Sequence, residues 1–161
     1  MIVALIGCGF IGETLARAID KEMKNRIELA TVYDELKEKA EGLWQTLEVK
    51  PHIAEDPDEI FSDKRVELVI EAASQRAAKS YAPKALAAGK DVMIMSVGAL
   101  ADDQFRGHIT SISQEKKARI YVPSGAIAGL DWIKAASRVG LEKVVIATRK
   151  PPRALEGSPY V

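Results

Sequence analysis

The 161-residue chain holds a single cysteine, Cys8, so it cannot form an internal disulfide. No apolar run approaches the ~20 residues that a membrane helix needs, and no membrane partner is expected. Neither sign of charge prevails. The 23 Lys and Arg residues balance 23 Asp and Glu, which leaves no overall basic field to gather nucleic acid. Glycine and proline, at 11 and 7 residues, are too few for a fibrous or disordered chain. A basic leader is also missing: Met1 runs directly into a short apolar segment at 2–6, and the expected compartment is the cytoplasm. What remains is 47% hydrophobic and 29% charged residues, the make-up of a globular domain that can bury roughly 70% of its unfolded surface without a covalent staple.

Short β-branched runs alternate with longer amphipathic stretches, the pattern of a parallel sheet covered by helices on both faces. Strands are expected at 2–6, 27–33, 66–71, 91–95, 120–122 and 144–148, with a weaker one at 48–53. Apolar stripes of helical period fall at Ile11, Leu15, Ala18 and Ile19, at Leu36, Ala40, Leu43 and Leu47, and at Phe105, Ile109 and Ile112. Asp56, Pro57 and Glu59 have the spacing of a capping box, opening a short helix that ends near Asp63. A further helix is expected over 74–88, closed by Gly89 and kinked or divided at Pro83, whose ring nitrogen carries no hydrogen.

Gly7-Cys8-Gly9-Phe10-Ile11-Gly12 is a G-x-G-x-x-G that follows an apolar strand and opens an amphipathic helix. In that setting Gly7 permits the tight turn, Gly9 lets backbone approach a pyrophosphate, and Gly12 lets the helix lie close to the strand. The N–H groups near Phe10 and Ile11 then face the phosphates with the positive end of the helix dipole behind them. Asp34 ends the second expected strand at the spacing where an acid takes the adenosine ribose hydroxyls. Such a carboxylate repels a 2′-phosphate, so NAD is favoured, with Lys37 the one neighbouring cation that could accommodate NADP. These features together specify a doubly wound, dinucleotide-binding Rossmann sheet. Cys8 needs no redox role, because a small side chain suits the turn.

Three later segments of small residues stand at the C-terminal ends of expected strands, where an open parallel sheet binds its ligand. They are Glu71-Ala72-Ala73-Ser74-Gln75, Ser96-Val97-Gly98-Ala99 and Ser124-Gly125-Ala126-Ile127-Ala128-Gly129. Each alone reads as a plain turn; their coincidence on one edge points to a ligand. With Thr148-Arg149-Lys150-Pro151-Pro152, these segments make the whole chain resemble the archaeal and bacterial L-aspartate dehydrogenases. That family oxidises L-aspartate with NAD or NADP to iminoaspartate, which feeds NAD biosynthesis or hydrolyses to oxaloacetate and ammonia. The resemblance implies an amino-acid substrate and places Ala126 against the nicotinamide end of the cofactor. Ala72, Ala73, Ser74, Ser96, Val97 and Gly98 complete the expected cofactor-binding set.

The same resemblance implies a deficit. The family's catalytic histidine and a cofactor-contacting asparagine lie in a C-terminal α+β domain, and this sequence stops before either position. No residue here inherits a catalytic role, and no metal is expected. His52 and His108 are expected at the surface; Asp131 and Lys134 are candidates for substrate contact. The expected division is a dinucleotide-binding domain at 1–140, followed at 141–161 by a strand and an Arg-Lys-Pro-Pro linker toward a domain absent from this chain. Its uncovered last strand could support a homo-oligomer. The alternatives are a stand-alone nucleotide-sensing module and a dehydrogenase for another amino acid, such as homoserine.

Overall fold

The first strand, β1 (Ile2–Ile6), supplies both layers of the core. Successive side chains of a strand point to opposite faces, so Val3 and Leu5 enter one apolar cluster while Ala4 and Ile6 enter the other. All four are buried to within 1% of completely, and a side chain the size of leucine contributes roughly 1.5–3 kcal/mol when so placed. The computed structural model describes residues 1–125, 127, 129–147 and 149.

From β1 the chain continues through α1 (Phe10–Ala18), β2 (Glu28–Tyr33), α2 (Lys37–Thr46) and β3 (His52–Ile53). It then crosses by α3 (Pro57–Ser62) to β4 (Leu68–Glu71) and winds outward through α4 (Gln75–Ala87), β5 (Asp91–Ile94), a 3₁₀ turn at Val97–Ala101, α5 (Asp103–Lys116) and β6 (Ile120–Tyr121). The six strands are ordered β3-β2-β1-β4-β5-β6, and every neighbouring pair is parallel. This is the expected doubly wound sheet. Connections leave β1 and β4 toward opposite faces, which opens a crevice at the carboxyl ends of those two strands.

Met1–Gly125 forms one compact unit holding the whole sheet, and Ala126–Val161 forms a second. In the second unit α6 (Leu130–Ala136) starts at Gly129, whose φ of 79° is left-handed and suits glycine. The strand expected at 144–148 is absent over its described part, 144–147. A β-branched run satisfies no backbone N–H by itself and becomes a strand only beside a partner. Residue 148 and the linker residues 150–152 lie outside the described residues. The weak third strand shrinks to His52–Ile53, since Pro51 before it can donate no ladder hydrogen bond.

The helices follow their local signals with two changes. Asp56 and Glu59 make the capping box of α3 in full. Ser74 caps α4, Gly89 (φ 76°) follows its end, and Pro83 lies inside one continuous helix without dividing it. Ala77, Ala78, Ala82, Ala85 and Leu86 pin that helix to the sheet on both sides of the proline, so packing outweighs the one lost hydrogen bond. Of the stripe expected along the first helix, Leu15 and Ile19 pack into the core beside the buried Gly12 and Ala16, and Ile11 is exposed.

Beyond Ala18 the chain makes a π-helical turn at Ile19–Met23, and the buried Asp20 carboxylate accepts the Glu48 and Val49 N–H groups at 2.8 and 2.9 Å. Burial by itself raises its pKa, but those two donors and the nearby Lys24 hold it below the usual carboxylate range. The folded state therefore favours the ionised form, and this stabilisation is complete above the unfolded-chain pKa of ~3.9 and lost as pH falls below it. Asp20→Asn is expected to lower stability to urea by about 1–3 kcal/mol at pH 7 and by clearly less at pH 3, each against the unsubstituted chain at the same pH. Equal losses at the two pH values would contradict this.

Candidate functional site

The loop after β1 and the loop after β4 meet backbone to backbone. Gly7 has a φ of 98°, and a Cβ built on it would lie 2.6 Å from the Ala73 nitrogen and 2.7 Å from the Ala72 carbonyl carbon. A Cβ on Gly12 would overlap the Gly7 carbonyl oxygen and touch Leu5. Gly9 differs from both. Its φ of −74° suits any residue, and a Cβ there would meet no atom of the described residues within 4 Å. Neither conformation nor packing among the described residues requires glycine at position 9, and the space its missing side chain leaves opens onto a cleft of about 230 Å³.

Gly7 and Gly9, Asp34 and Glu35, and Ala72, Ala73 and Ser74 line that cleft from the ends of β1, β2 and β4. The N–H groups of Phe10, Ile11 and Gly12 precede the first bond of α1, from Glu13 N–H to the Gly9 carbonyl at 2.8 Å, and no side chain caps them. The Phe10 and Ile11 side chains are 83% and 47% exposed, so these residues present their backbone to the loop and their apolar groups to solvent. Across the cleft, Ser74 Oγ accepts the Ala77 N–H at 3.1 Å, which leaves its hydroxyl hydrogen free to donate.

Asp34 is tied to the glycine loop. One carboxylate oxygen accepts the Cys8 N–H at 2.8 Å, and the other accepts the Leu36 N–H at 2.9 Å. A carboxylate has about four acceptor positions, so two remain. Lys37 is paired with Glu55 at the surface and is not among the residues lining the cleft. The cations near the acid are Lys39, which lines the cleft, and Arg76, whose Nη2 donates to Glu35 Oε2 at 2.7 Å. Sequence reasoning missed both, along with Tyr33 and Tyr81, which meet edge to face at a centroid distance of 6.2 Å in the cleft wall. Burial pushes the Tyr81 phenol up to about 12, so it remains a neutral donor toward Glu35. The available signal was helical spacing, since Ser74, Ala77, Ala78 and Tyr81 share the face of α4 turned to this edge.

Glu71 was visible only as part of a small-residue segment. It is 1% exposed, and its Oε1 accepts the N–H groups of Ala73 (2.9 Å) and Ser74 (3.0 Å) and the Ser96 hydroxyl (2.9 Å), while Oε2 accepts the Ser96 N–H at 3.2 Å. Four donors offset the desolvation of the charge and fasten the loop after β4 to the loop after β5. Val97 and Gly98 lie in the 3₁₀ turn that follows, with Gly98 packed on the Gln75 side chain. Ser96, Val97 and Gly98 are not part of the cleft wall, and Ala126 lies outside the described residues. His108 is exposed as expected, and His52, also exposed, bonds Glu59 at 2.8 Å. Among the described residues, no helix is long and apolar enough to cross a membrane.

Residues 7–123 match the family model described as homoserine dehydrogenase, NAD binding domain. The chain is 42% identical over 159 residues to the L-aspartate dehydrogenase of Methanosarcina barkeri, covering 99% of this chain and 58% of that protein. It is 42% identical over 158 residues to the L-aspartate dehydrogenase of Nitrosopumilus maritimus, covering 98% and 57%. Among solved structures it is similar to the aspartate dehydrogenase from Thermotoga maritima, with a TM-score of 0.60 and 29% identity over 84% of this chain and 50% of that one. The chain thus spans 57–58% of the length of these curated relatives.

Cys8 sits between the first two glycines, yet its thiol is buried, and its Sγ faces the Tyr33 carbonyl oxygen at 3.7 Å. Burial, with the Asp34 charge adding to it, pushes the thiol up to about 12. A thiolate at pH 8 is then a population of order 10⁻⁴, and the folded chain is expected to react with a disulfide reagent at least ~100-fold more slowly than the urea-unfolded chain. Comparable rates in the two states would show an accessible, activated thiol.

Proposed function

This chain belongs to the homoserine dehydrogenase NAD-binding domain family, and on that premise we propose that it is the cofactor-binding part of an NAD-dependent L-aspartate dehydrogenase. The observation that carries the proposal is the cradle at Gly9: among the described residues, a glycine that packing does not require, beside an uncapped helix N-terminus and a carboxylate with two free acceptor positions. The first-turn N–H groups of Phe10 and Ile11 would hold the pyrophosphate with the helix dipole behind them. Asp34 would accept the adenosine ribose hydroxyls, while Ala72, Ala73 and Ser74 form the facing wall. Ser96, Val97, Gly98 and Ala126 are assigned to the nicotinamide end, where the bound cofactor accepts hydride from substrate.

Aspartate is favoured over homoserine as substrate because the 42% identity to L-aspartate dehydrogenases extends over 99% of the chain. The group that manages the amine proton is assigned to the part of such an enzyme beyond this chain, with residues 141–161 leading toward it and 1–140 forming the cofactor domain. A cytoplasmic setting and a homo-oligomeric enzyme complete the proposal. Dehydrogenase relatives weigh for an enzyme component over a stand-alone nucleotide sensor.

Calorimetric titration of the 161-residue chain with NADH tests the site. Asp34→Ala is expected to weaken binding by roughly tenfold or more, tenfold being about the value of one hydrogen bond to a charged acceptor. If neither NADH nor NADPH binds the unsubstituted chain, the proposal fails. Gly9 and Gly12 are expected to separate ligand space from protein packing. Gly9→Ala should lower the thermal midpoint only slightly, through the preference for glycine over alanine at a helix N-cap, while weakening NADH binding, and Gly12→Ala should lower it by several degrees more through the clash with Gly7. Equal thermal losses in the two variants would remove the argument for a ligand cradle.

A further inference from the structure

At the ribose end of the cleft the two adjacent acids make different contacts. Asp34 is anchored on the amides of Cys8 and Leu36. Glu35 reaches across 41 residues of sequence to the first turn of α4, where Arg76 Nη2 donates to its Oε2 at 2.7 Å and Tyr81 Oη donates to its Oε1 at 3.4 Å. The pair lies in water, with the Arg76 and Glu35 side chains 77% and 52% exposed. An ion pair this exposed adds about 0–1 kcal/mol at most to folding, so exchanging its partner costs little. Of the other nearby cations, Lys37 pairs with Glu55 in an equally exposed contact and Lys39 lines the cleft, and both are point charges. Arg76 offers a planar fork that suits a phosphate dianion better than it suits a single carboxylate oxygen.

Resting on the assignment of the cleft to a dinucleotide, we propose that Arg76 reads the 2′ position of the adenosine ribose, and that Glu35 sets the preference for NAD by occupying Arg76 and repelling a 2′-phosphate. Selectivity here is a competition between a carboxylate and a phosphate for one guanidinium, held beside the cleft by Glu35. Removing the Glu35 charge frees Arg76 and removes Glu35's share of the repulsion, leaving that of Asp34 in place; removing Arg76 as well separates the two contributions of Glu35.

The test is calorimetric titration of NAD⁺ and NADP⁺ into the full chain and into Glu35→Gln, Arg76→Ala and the double variant. Both side chains are at the surface, so unchanged far-ultraviolet circular dichroism is expected throughout. Glu35→Gln should tighten NADP⁺ by about tenfold and leave NAD⁺ within about threefold. The double variant should lose that gain, and Arg76→Ala alone should weaken NADP⁺ with NAD⁺ again within about threefold. Adenosine 2′,5′-bisphosphate measured against AMP should follow the same order, which makes the result independent of the nicotinamide end. The proposal is overturned if Glu35→Gln leaves NADP⁺ unchanged, if the gain persists without Arg76, or if both dinucleotides shift equally. Failure of the unsubstituted chain to bind either dinucleotide would instead overturn the cofactor assignment on which it rests.

Discussion

Everything at the carboxyl edge of the sheet depends on the approach of two backbones at Gly7. With the Ala73 nitrogen 2.6 Å from where a Cβ would stand, any other residue at position 7 would push apart the loops after β1 and β4. Those loops are held from both sides: the Gly7 N–H donates to the Tyr33 carbonyl and the Ala72 N–H to the Ile6 carbonyl, each at 2.8 Å. Gly12 extends the same constraint one turn into α1 by letting the helix settle on the Gly7 carbonyl. The cleft is therefore a consequence of missing side chains, and its floor is main chain. Such a surface can bring N–H groups to a flat or charged ligand without lysines or arginines in between.

Glu71 supplies the other half of that rigidity. A buried carboxylate is costly unless every lone pair has a use, and here four donors from two loops converge on it. The arrangement ties Ala73 and Ser74, in the cleft wall, to Ser96, which begins the next loop. Position along β4 decides the outcome: Leu68, Val69 and Ile70 feed the two apolar layers, and Glu71, the last residue of the strand, is the first that can reach loop amides instead of core.

What the sequence made legible was whatever a short stretch of chain determines by itself. The glycine spacing, Asp34 at the end of β2, the capping box at Asp56 and the alternation of strand and helix all follow from local geometry, and the sheet order follows from chaining such units. Contacts joined by the fold stayed hidden. Arg76 stands 41 residues from Glu35, Ser96 stands 25 from Glu71, and nothing near either partner advertises the other. Strand lengths were over-read for a related reason, because β-branched residues state a preference while ladder partners set the limits. At His52–Ile53 only Thr31 and Val32 are alongside, so only two residues pair. The run at 144–147 has high β propensity and no regular structure. Pro83 is the reverse case: its local rule predicts a break, and the packing of five buried side chains keeps the helix whole.

The balanced charge of the whole chain recurs at the cleft, whose lining holds Asp34, Glu35 and Lys39, with Arg76 paired to Glu35 beside it. A neutral mouth draws no anion by long-range attraction, and it does not need to, since positive potential for a pyrophosphate is available from uncapped amides and the dipole of α1. Partial charges fixed in the backbone cost no side-chain entropy and cannot be withdrawn by a competing carboxylate. Side-chain cations are then left for discrimination, a task suited to groups that can change partners. On the proposed reading, affinity within one crevice rests on main chain held rigid by glycines and Glu71, and selectivity on an exposed ion pair that water keeps weak enough to exchange.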